Sequence, residues 1–94
     1  MRGDRRQVKL RDRVPEHRLE VLRAQLDRQL REARPNFEWS VWINHGPTHH
    51  AYVQVYARRD GRVWHAPFSI SVLEHDLPMM LRMVIHSADV RLTR

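Results

Sequence analysis

Cysteine is absent from this chain of 94 residues, glycine occurs three times, and no long apolar run is present. Without cysteine, the chain has neither a disulfide framework nor a thiolate nucleophile, which agrees with a reducing compartment. No apolar run approaches the roughly 20 residues that a membrane-spanning helix needs. No apolar segment of a secretion signal follows the opening residues, MRGDRR. A cytoplasmic location without membrane contact is therefore the default expectation.

The chain also lacks the motifs of the common enzyme classes. It has no glycine-rich phosphate loop, no G-x-S-x-G elbow and no HExxH pair. His45, His49 and His50 lie close together in the sequence, but no nearby cysteine or carboxylate completes a zinc site. Polar loop histidines are the better interpretation. We therefore expect a non-enzymatic protein with no metal and no other cofactor.

The formal net charge of +6 is concentrated in one part of the sequence. Residues 1–34 contain 11 Lys and Arg against 6 Asp and Glu, whereas residues 35–94 contain 6 against 5. Sixteen of the 17 basic residues are arginine, whose planar guanidinium favours two-pronged contacts with phosphate or carboxylate groups. The charge predicts a nucleic acid, DNA or RNA, or an acidic protein surface as the partner. A GC-rich genome would produce the same bias toward arginine.

Ninety-four residues form one domain that buries roughly two-thirds of its unfolded surface. Residues 1–13 are predicted to be a basic arm that is either flexible or, because Gln7–Arg11 alternates polar and apolar residues, a short edge strand. Residues 14–94 are predicted to form a single compact α+β domain.

The stretch His50–Val72 predicts a β-hairpin. Asp60-Gly61 matches a type I′ turn, which needs positive φ at both central residues. This turn places Arg59 opposite Arg62. A slip of one residue would mix the two faces of the hairpin. In this register the apolar face holds Ala51, Val53, Val55, Ala57, Trp64, Ala66, Phe68 and Ile70.

Helical periodicity appears on both sides of the hairpin. Pro15–Ala33 carries leucines three and four residues apart, which predicts an amphipathic helix. Asp76 is a candidate N-cap for a second helix that ends near Ser87. This second segment is apolar almost all round, so part of it is expected to be sandwiched inside or to meet another chain. Residues 89–94 are candidates for a few additional strand residues.

Phe37–Asn44 alternates between apolar and polar residues and predicts the first main strand. Pro67 has no N–H to donate, so the third strand is expected at a sheet edge and the second strand in the centre. The predicted fold is α+β. A three-stranded antiparallel β-meander carries two helices packed on one face, in the order α-β-β-β-α, with a short N-terminal strand as an addition.

Aromatic side chains are predicted on the sheet face that the helices leave open. Exposed rings on a sheet can stack on unpaired bases, can serve as hot spots of a protein interface, or can simply pair across strands and stiffen the sheet. All three interpretations remain open. The predicted interface residues are Trp42, Tyr52, Tyr56 and His65 on the sheet, with Met79 and Met83 on the last helix.

The motif Gly46-Pro47-Thr48-His49 lies between the first two predicted strands, and Ser71 lies near the start of the last helical segment. With the α-β-β-β-α order, these features resemble the double-stranded-RNA-binding domain over roughly residues 15–88. The resemblance implies contact between RNA and His49. Residues 72–76, VLEHD, stand where that family has a lysine-rich stretch.

Two functions follow as hypotheses. The first is a small basic protein that binds nucleic acid. The second is a protein-interaction module or inhibitor, with a homodimer as one form. In size, charge and absence of enzyme motifs the chain resembles small phage-encoded proteins that disable host defence or bind host regulators. The predicted nucleic-acid-binding residues are Arg5, Arg6, Lys9, Arg11, Arg18, Arg23, Arg28, His49 and Arg58.

Overall fold

A computed structural model describes residues 16–45 and 51–93 of the chain. The fold is α+β, as predicted, with helices packed on a single antiparallel sheet. The predicted N-terminal strand, His49 and His50 lie outside the described residues. The elements in chain order are α1 (Glu16–Ala33), β1 (Glu38–His45), β2 (Ala51–Arg59), β3 (Arg62–Ser69), α2 (Ile70–His75) and α3 (Leu77–Leu92).

The sheet has the strand order β1-β2-β3, which confirms the predicted meander with β2 in the centre. The hairpin register is also confirmed: Arg59 pairs with Arg62, and the ladder continues to the pair Tyr52 and Ser69. Asp60 has φ 51° and Gly61 has φ 80°, as a type I′ turn requires. The turn residues therefore fix which side chains of β2 and β3 face the helices.

The core lies between the helices and one face of the sheet. Alternate residues of each strand point toward it, and α1 contributes the predicted leucine stripe. On α3 the core positions recur every four residues, and Met80 at the first of them is fully buried. The buried core residues are Leu26, Leu30, Phe37, Trp39, Val41, Val53, Val55, Ala57, Leu73, Met80, Val84, Ala88 and Leu92.

The C-terminal third differs from the prediction. The third strand ends at Ser69, so Ile70 does not pair with Ala51 and instead begins α2. The Ser69 side chain accepts a hydrogen bond from the Val72 N–H at 3.3 Å and caps this helix. A hydroxyl cap directly after a strand converts the expected end of the hairpin into a short helix.

Asp76 then ends α2 and caps α3. Its carboxylate accepts from the Met79 N–H at 3.1 Å, which confirms the predicted N-cap. The helix does not end near Ser87 but continues to Leu92, so the expectation of strand residues in the tail is wrong. Ala88 and Leu92 are buried there, and this packing against the core holds the last turns helical.

Candidate functional site

The sheet face that points away from the helices carries the exposed aromatic side chains Trp42 and Tyr56. Successive residues of a strand point to opposite faces, so each strand contributes every second side chain to it. We call this surface the outer face. Its rows, from the hairpin turn outward, are Glu38–Arg58–Val63, Ser40–Tyr56–His65, Trp42–Gln54–Pro67 and Asn44–Tyr52–Ser69.

Two aromatic side chains of the outer face are accessible. Trp42 is 57% exposed and Tyr56 is 40% exposed. The rings of Tyr56 and His65 lie 5.3 Å apart between centroids and are tilted by 31°, and Gln54 Nε2 lies 3.3 Å from His65 Nδ1. Cross-strand packing therefore holds Tyr56 and His65, whereas Trp42 stands in solvent. Tyr52 lies at the far end of the same face and is half-buried.

An ion pair closes the end of the outer face near the turn. Arg58 donates from Nη2 to a Glu38 carboxylate oxygen at 3.0 Å and from Nε to the other at 3.3 Å. These hydrogen bonds lower the pKa of Glu38 and raise the pKa of Arg58. Both groups are solvent-exposed, so the pair is weak and an approaching anion can compete for the guanidinium.

Arg18, Arg23 and Arg28 of α1 are among the predicted nucleic-acid-binding residues. The structure places Arg23, together with Arg31, against β1. Arg23 donates to Glu20 at 2.7 Å and to the Val41 carbonyl at 3.2 Å. Arg31 donates to Asp27 at 3.0 Å and to the Trp39 carbonyl at 2.8 Å. The hydrogen bond to Arg23 lowers the pKa of Glu20. These guanidinium groups therefore bind the chain's own carboxylates and backbone.

The remaining arginines of α1 differ from each other. Arg18 lies 3.5 Å from a carboxylate oxygen of Glu74 on α2. Arg28 is exposed and makes no ion pair within the described part of the chain. Because α1 carries four arginines and four carboxylates, the helix itself has no net charge. The sequence places the basic excess in residues 1–15, which hold 6 Lys and Arg against 2 Asp and Glu.

Several residues predicted to contact nucleic acid cannot be placed. Arg5, Arg6, Lys9, Arg11 and His49 lie outside the described residues. Of the predicted nucleic-acid-binding residues, the structure sets Arg58 alone on the outer face, while Arg18, Arg23 and Arg28 lie on α1 on the opposite side of the sheet.

The predicted interface residues fall into two separate groups. Trp42, Tyr52, Tyr56 and His65 share the outer face, whereas Met79 and Met83 are exposed on α3, which lies beneath the sheet. Three exposed valines were not predicted as interface residues: Val21 on α1, Val63 on the outer face and Val90 on α3. The hairpin register already places Val63 beside Arg58. The position of Val90 could not be recognised from a tail assigned to a strand.

Neither a metal cluster nor a membrane span is found in the described ranges. Residues 16–45 and 51–93 contain no group of three or more His, Cys, Asp or Glu side chains arranged to hold a metal ion. No helix in those ranges has the length and apolarity to cross a membrane. Comparison with protein-family models, curated proteins and solved structures gave no match.

Proposed function

We propose that this chain is a non-enzymatic protein that binds single-stranded nucleic acid on the outer face. The observation that carries the proposal is the exposure of Trp42 and Tyr56 on one flat sheet face of a chain with net charge +6. Bases stack on such rings without sequence preference because every base has a π-face. Trp42 is the main stacking residue, and Tyr56, braced by His65, is the second.

The size of the outer face favours a short strand of nucleotides over a large protein. Strands of eight or nine residues rise about 3.3 Å per residue, and three strands spaced about 4.8 Å apart give a face of about 26 by 14 Å. That projected area, about 370 Å², is small beside the roughly 800 Å² of accessible surface that each partner buries in a standard protein interface. Two or three stacked bases fit within it.

Phosphate contacts in this proposal come from two places. Arg58 lies at the end of the outer face and can exchange its exposed partner Glu38 for a phosphate. The larger share of positive charge belongs to residues 1–15. Because α1 has no net charge and two of its four arginines bind Glu20, Asp27 and the edge of β1, we assign it no phosphate contact.

The test is a fluorescence-anisotropy titration with labelled single- and double-stranded RNA and DNA at about 50 and 200 mM salt. We expect single strands to bind more tightly than duplexes. Trp42→Ala should weaken single-strand binding by about tenfold or more, because each stacked base contributes about 1–3 kcal/mol. Replacing Arg5, Arg6, Lys9 and Arg11 by glutamine should flatten the salt dependence, with a slope smaller by about 0.7 for each phosphate that is no longer neutralised.

The matched control is Met83→Ala, which removes an exposed apolar side chain from α3 and should leave the titration unchanged. Absence of binding at the lower salt contradicts the proposal, because phosphate contacts are strongest there. Tighter binding of duplex RNA that is insensitive to Trp42→Ala would also contradict it. That result would support the mode implied by the resemblance to the double-stranded-RNA-binding domain.

The second candidate is a protein-interaction module, and the observation that favours it is on α3. Met79 and Met83 are 36% and 38% exposed and lie four residues apart on one face of the helix. Such a pair is suited to contact an apolar surface, including that of a second copy. Light scattering across a concentration series tests self-association, which Met79→Ala with Met83→Ala should abolish and Trp42→Ala should not affect.

A further inference from the structure

The two edges of the sheet expose different backbone groups, and the register shows which. In an antiparallel ladder, successive residues of a strand point their N–H and C=O groups to opposite sides. The two-residue turn makes Arg59 and Arg62 the closing hydrogen-bonded pair. Val63, His65 and Pro67 of β3 therefore point their backbone groups away from β2.

Pro67 limits how much of this edge can pair with another strand. It has no N–H, so the donors that point outward between the turn and Pro67 belong to Val63 and His65. No group in the described part of the chain forms a backbone hydrogen bond with either N–H outside the sheet ladder. Among residues 16–45 and 51–93, the N-terminal half of β3 is thus an open strand edge.

A groove runs along this edge between β3 and α3. On the strand side it is lined by Arg62, Val63, Trp64 and His65. The helix side is lined by His86, Ser87, Val90 and Arg91. Val63 and Val90 are 49% and 44% exposed, so the groove offers apolar contacts beside the unpaired backbone.

The charge of the groove has one sign. Arg62 and Arg91 line it together with two histidines, and no carboxylate from the described residues does. The nearest acidic residue on α3, Asp89, is directed elsewhere, because Arg34 holds both of its oxygens at 2.8 and 2.6 Å. Asp60 in the turn lies 3.5 Å from Arg59. A ligand with negative charge therefore fits this groove.

We propose that the groove between β3 and α3 binds an extended acidic peptide segment of a partner protein, which adds to β3 as a fourth strand. The peptide backbone bonds to Val63 and His65. Its carboxylate side chains lie toward Arg62 and Arg91, and its apolar side chains, which alternate to the other face of the added strand, contact Val63. This site shares Val63 and His65 with the outer face, but it uses their backbone groups and does not depend on nucleic-acid binding.

Charge complementarity favours this occupant over two others. A second copy paired edge to edge through β3 would bring the arginines and histidines of two identical grooves together. Residues 1–15 of this chain carry a net positive charge and would be repelled by the same groups. An acidic strand would not be repelled by these groups.

The probe is a fluorescein-labelled peptide of alternating glutamate and valine, about six residues long to match the part of β3 before Pro67. Anisotropy titration of the full-length protein is expected to show micromolar binding. Amide shifts in a ¹⁵N spectrum should centre on Val63 and His65. Arg62→Glu with Arg91→Glu should weaken binding by at least about tenfold, while the matched control Arg28→Glu on α1 should not change it.

Two further comparisons separate strand addition from simple charge attraction. A peptide with the same charge but a central proline cannot pair and should not bind. Val63→Pro removes one edge donor without removing a ladder bond and should abolish binding while Trp42→Ala leaves it intact. The proposal is overturned by equal binding of the proline peptide, by equal binding of a lysine–valine peptide, by amide shifts confined to other elements, or by an edge-to-edge dimer.

Discussion

Arginine side chains lie at both edges of the sheet, but they bind the strand at one edge and line an open groove at the other. At the β1 edge, Arg23 and Arg31 of α1 lie against the strand and donate to the carbonyls of Val41 and Trp39. At the β3 edge, Arg62 and Arg91 line an open groove that no described carboxylate enters. One edge is closed by the chain's own guanidinium groups, whereas the other keeps both backbone and charge available.

This difference shows why arginine counts alone do not locate a binding surface. An arginine that has a carboxylate four residues away and a strand edge beside it makes its hydrogen bonds within the chain, although its side chain is partly exposed. An arginine on an edge without such partners is accessible to a ligand. Guanidinium groups on two carbonyls of β1 leave fewer acceptors for another strand, so among the described residues the β1 edge is less open to strand addition than the β3 edge.

The largest expected effect is the loss of unfolding free energy when the tryptophan of either edge strand is replaced by alanine. Trp39 of β1 points into the core, is 2% exposed and donates from Nε1 to the Arg34 carbonyl at 3.1 Å. Trp64 of β3 is half-buried. Trp39→Ala should reduce the free energy of unfolding by about 3–5 kcal/mol, and Trp64→Ala by about 1–3 kcal/mol. Urea denaturation measures both, and equal losses would contradict the difference between the edges.

The next effect concerns the closure of the β1 edge. Arg23→Met with Arg31→Met removes both donors to the strand carbonyls and leaves Glu20 and Asp27 without their partners. We expect a loss of about 0.5–1.5 kcal/mol in unfolding free energy, reduced by solvent screening. Self-association should increase because the edge is uncovered. Arg28→Met is the matched control, and similar behaviour of both variants would exclude edge closure as the cause.

A smaller effect is expected from the ion pair that connects α1, which lies at the β1 edge, with α3, which lies at the β3 edge. Arg34 follows α1 and binds Asp89 of α3 through two hydrogen bonds, which lower the pKa of Asp89. This stabilisation is present above the unfolded pKa of about 3.9 and is lost as pH falls through the lower folded pKa. Asp89→Asn should cost about 0.5–1 kcal/mol at neutral pH, because the pair is partly exposed and solvent screens it.

The check is urea denaturation of both proteins at neutral pH and below about pH 3. The difference between native protein and Asp89→Asn should shrink at the lower pH, because the native carboxylate is then increasingly protonated. A difference that stays constant with pH would show that the asparagine disturbs packing instead.

The smallest effect lies on the outer face, where β1 and β2 meet. Glu38→Gln breaks the ion pair with Arg58, and since both groups are fully exposed we expect no measurable change in urea denaturation. Binding of single-stranded RNA should become about twofold tighter, because Arg58 no longer has to release the Glu38 carboxylate before it binds a phosphate. Arg58→Gln should change affinity in the opposite direction, and an equal change in both variants would contradict this role.

Local signals predicted the sheet well. Asp60-Gly61 specified the turn, and alternation along β2 and β3 specified the register, because both depend on neighbouring residues alone. The predicted ends of β3 and of the last helix were wrong, and the reason is physical. Ser69 and Asp76 are both N-caps. The alternating pattern of β3 continues past Ser69, so the sequence alone does not show that a helix begins there.

The candidate sites were less accessible to sequence analysis than the fold. Exposure of Trp42 followed from strand alternation and is confirmed. The bonds from Arg23 and Arg31 to β1 depend on how a helix crosses a strand edge, and no periodicity encodes that distance. The groove along β3 depends on the last turns of α3, where Val90 and Arg91 had been assigned to a strand.

The hairpin turn has a consequence for the stereochemistry of residue 61. Gly61 has φ 80°, and a Cβ built there would have no atom within 4 Å. Space is therefore available, and the obstacle to an L-residue is its backbone conformation. A D-alanine at this position adopts the same φ without strain and has fewer unfolded conformations than glycine. The constraint on residue 61 is thus its handedness and not its volume.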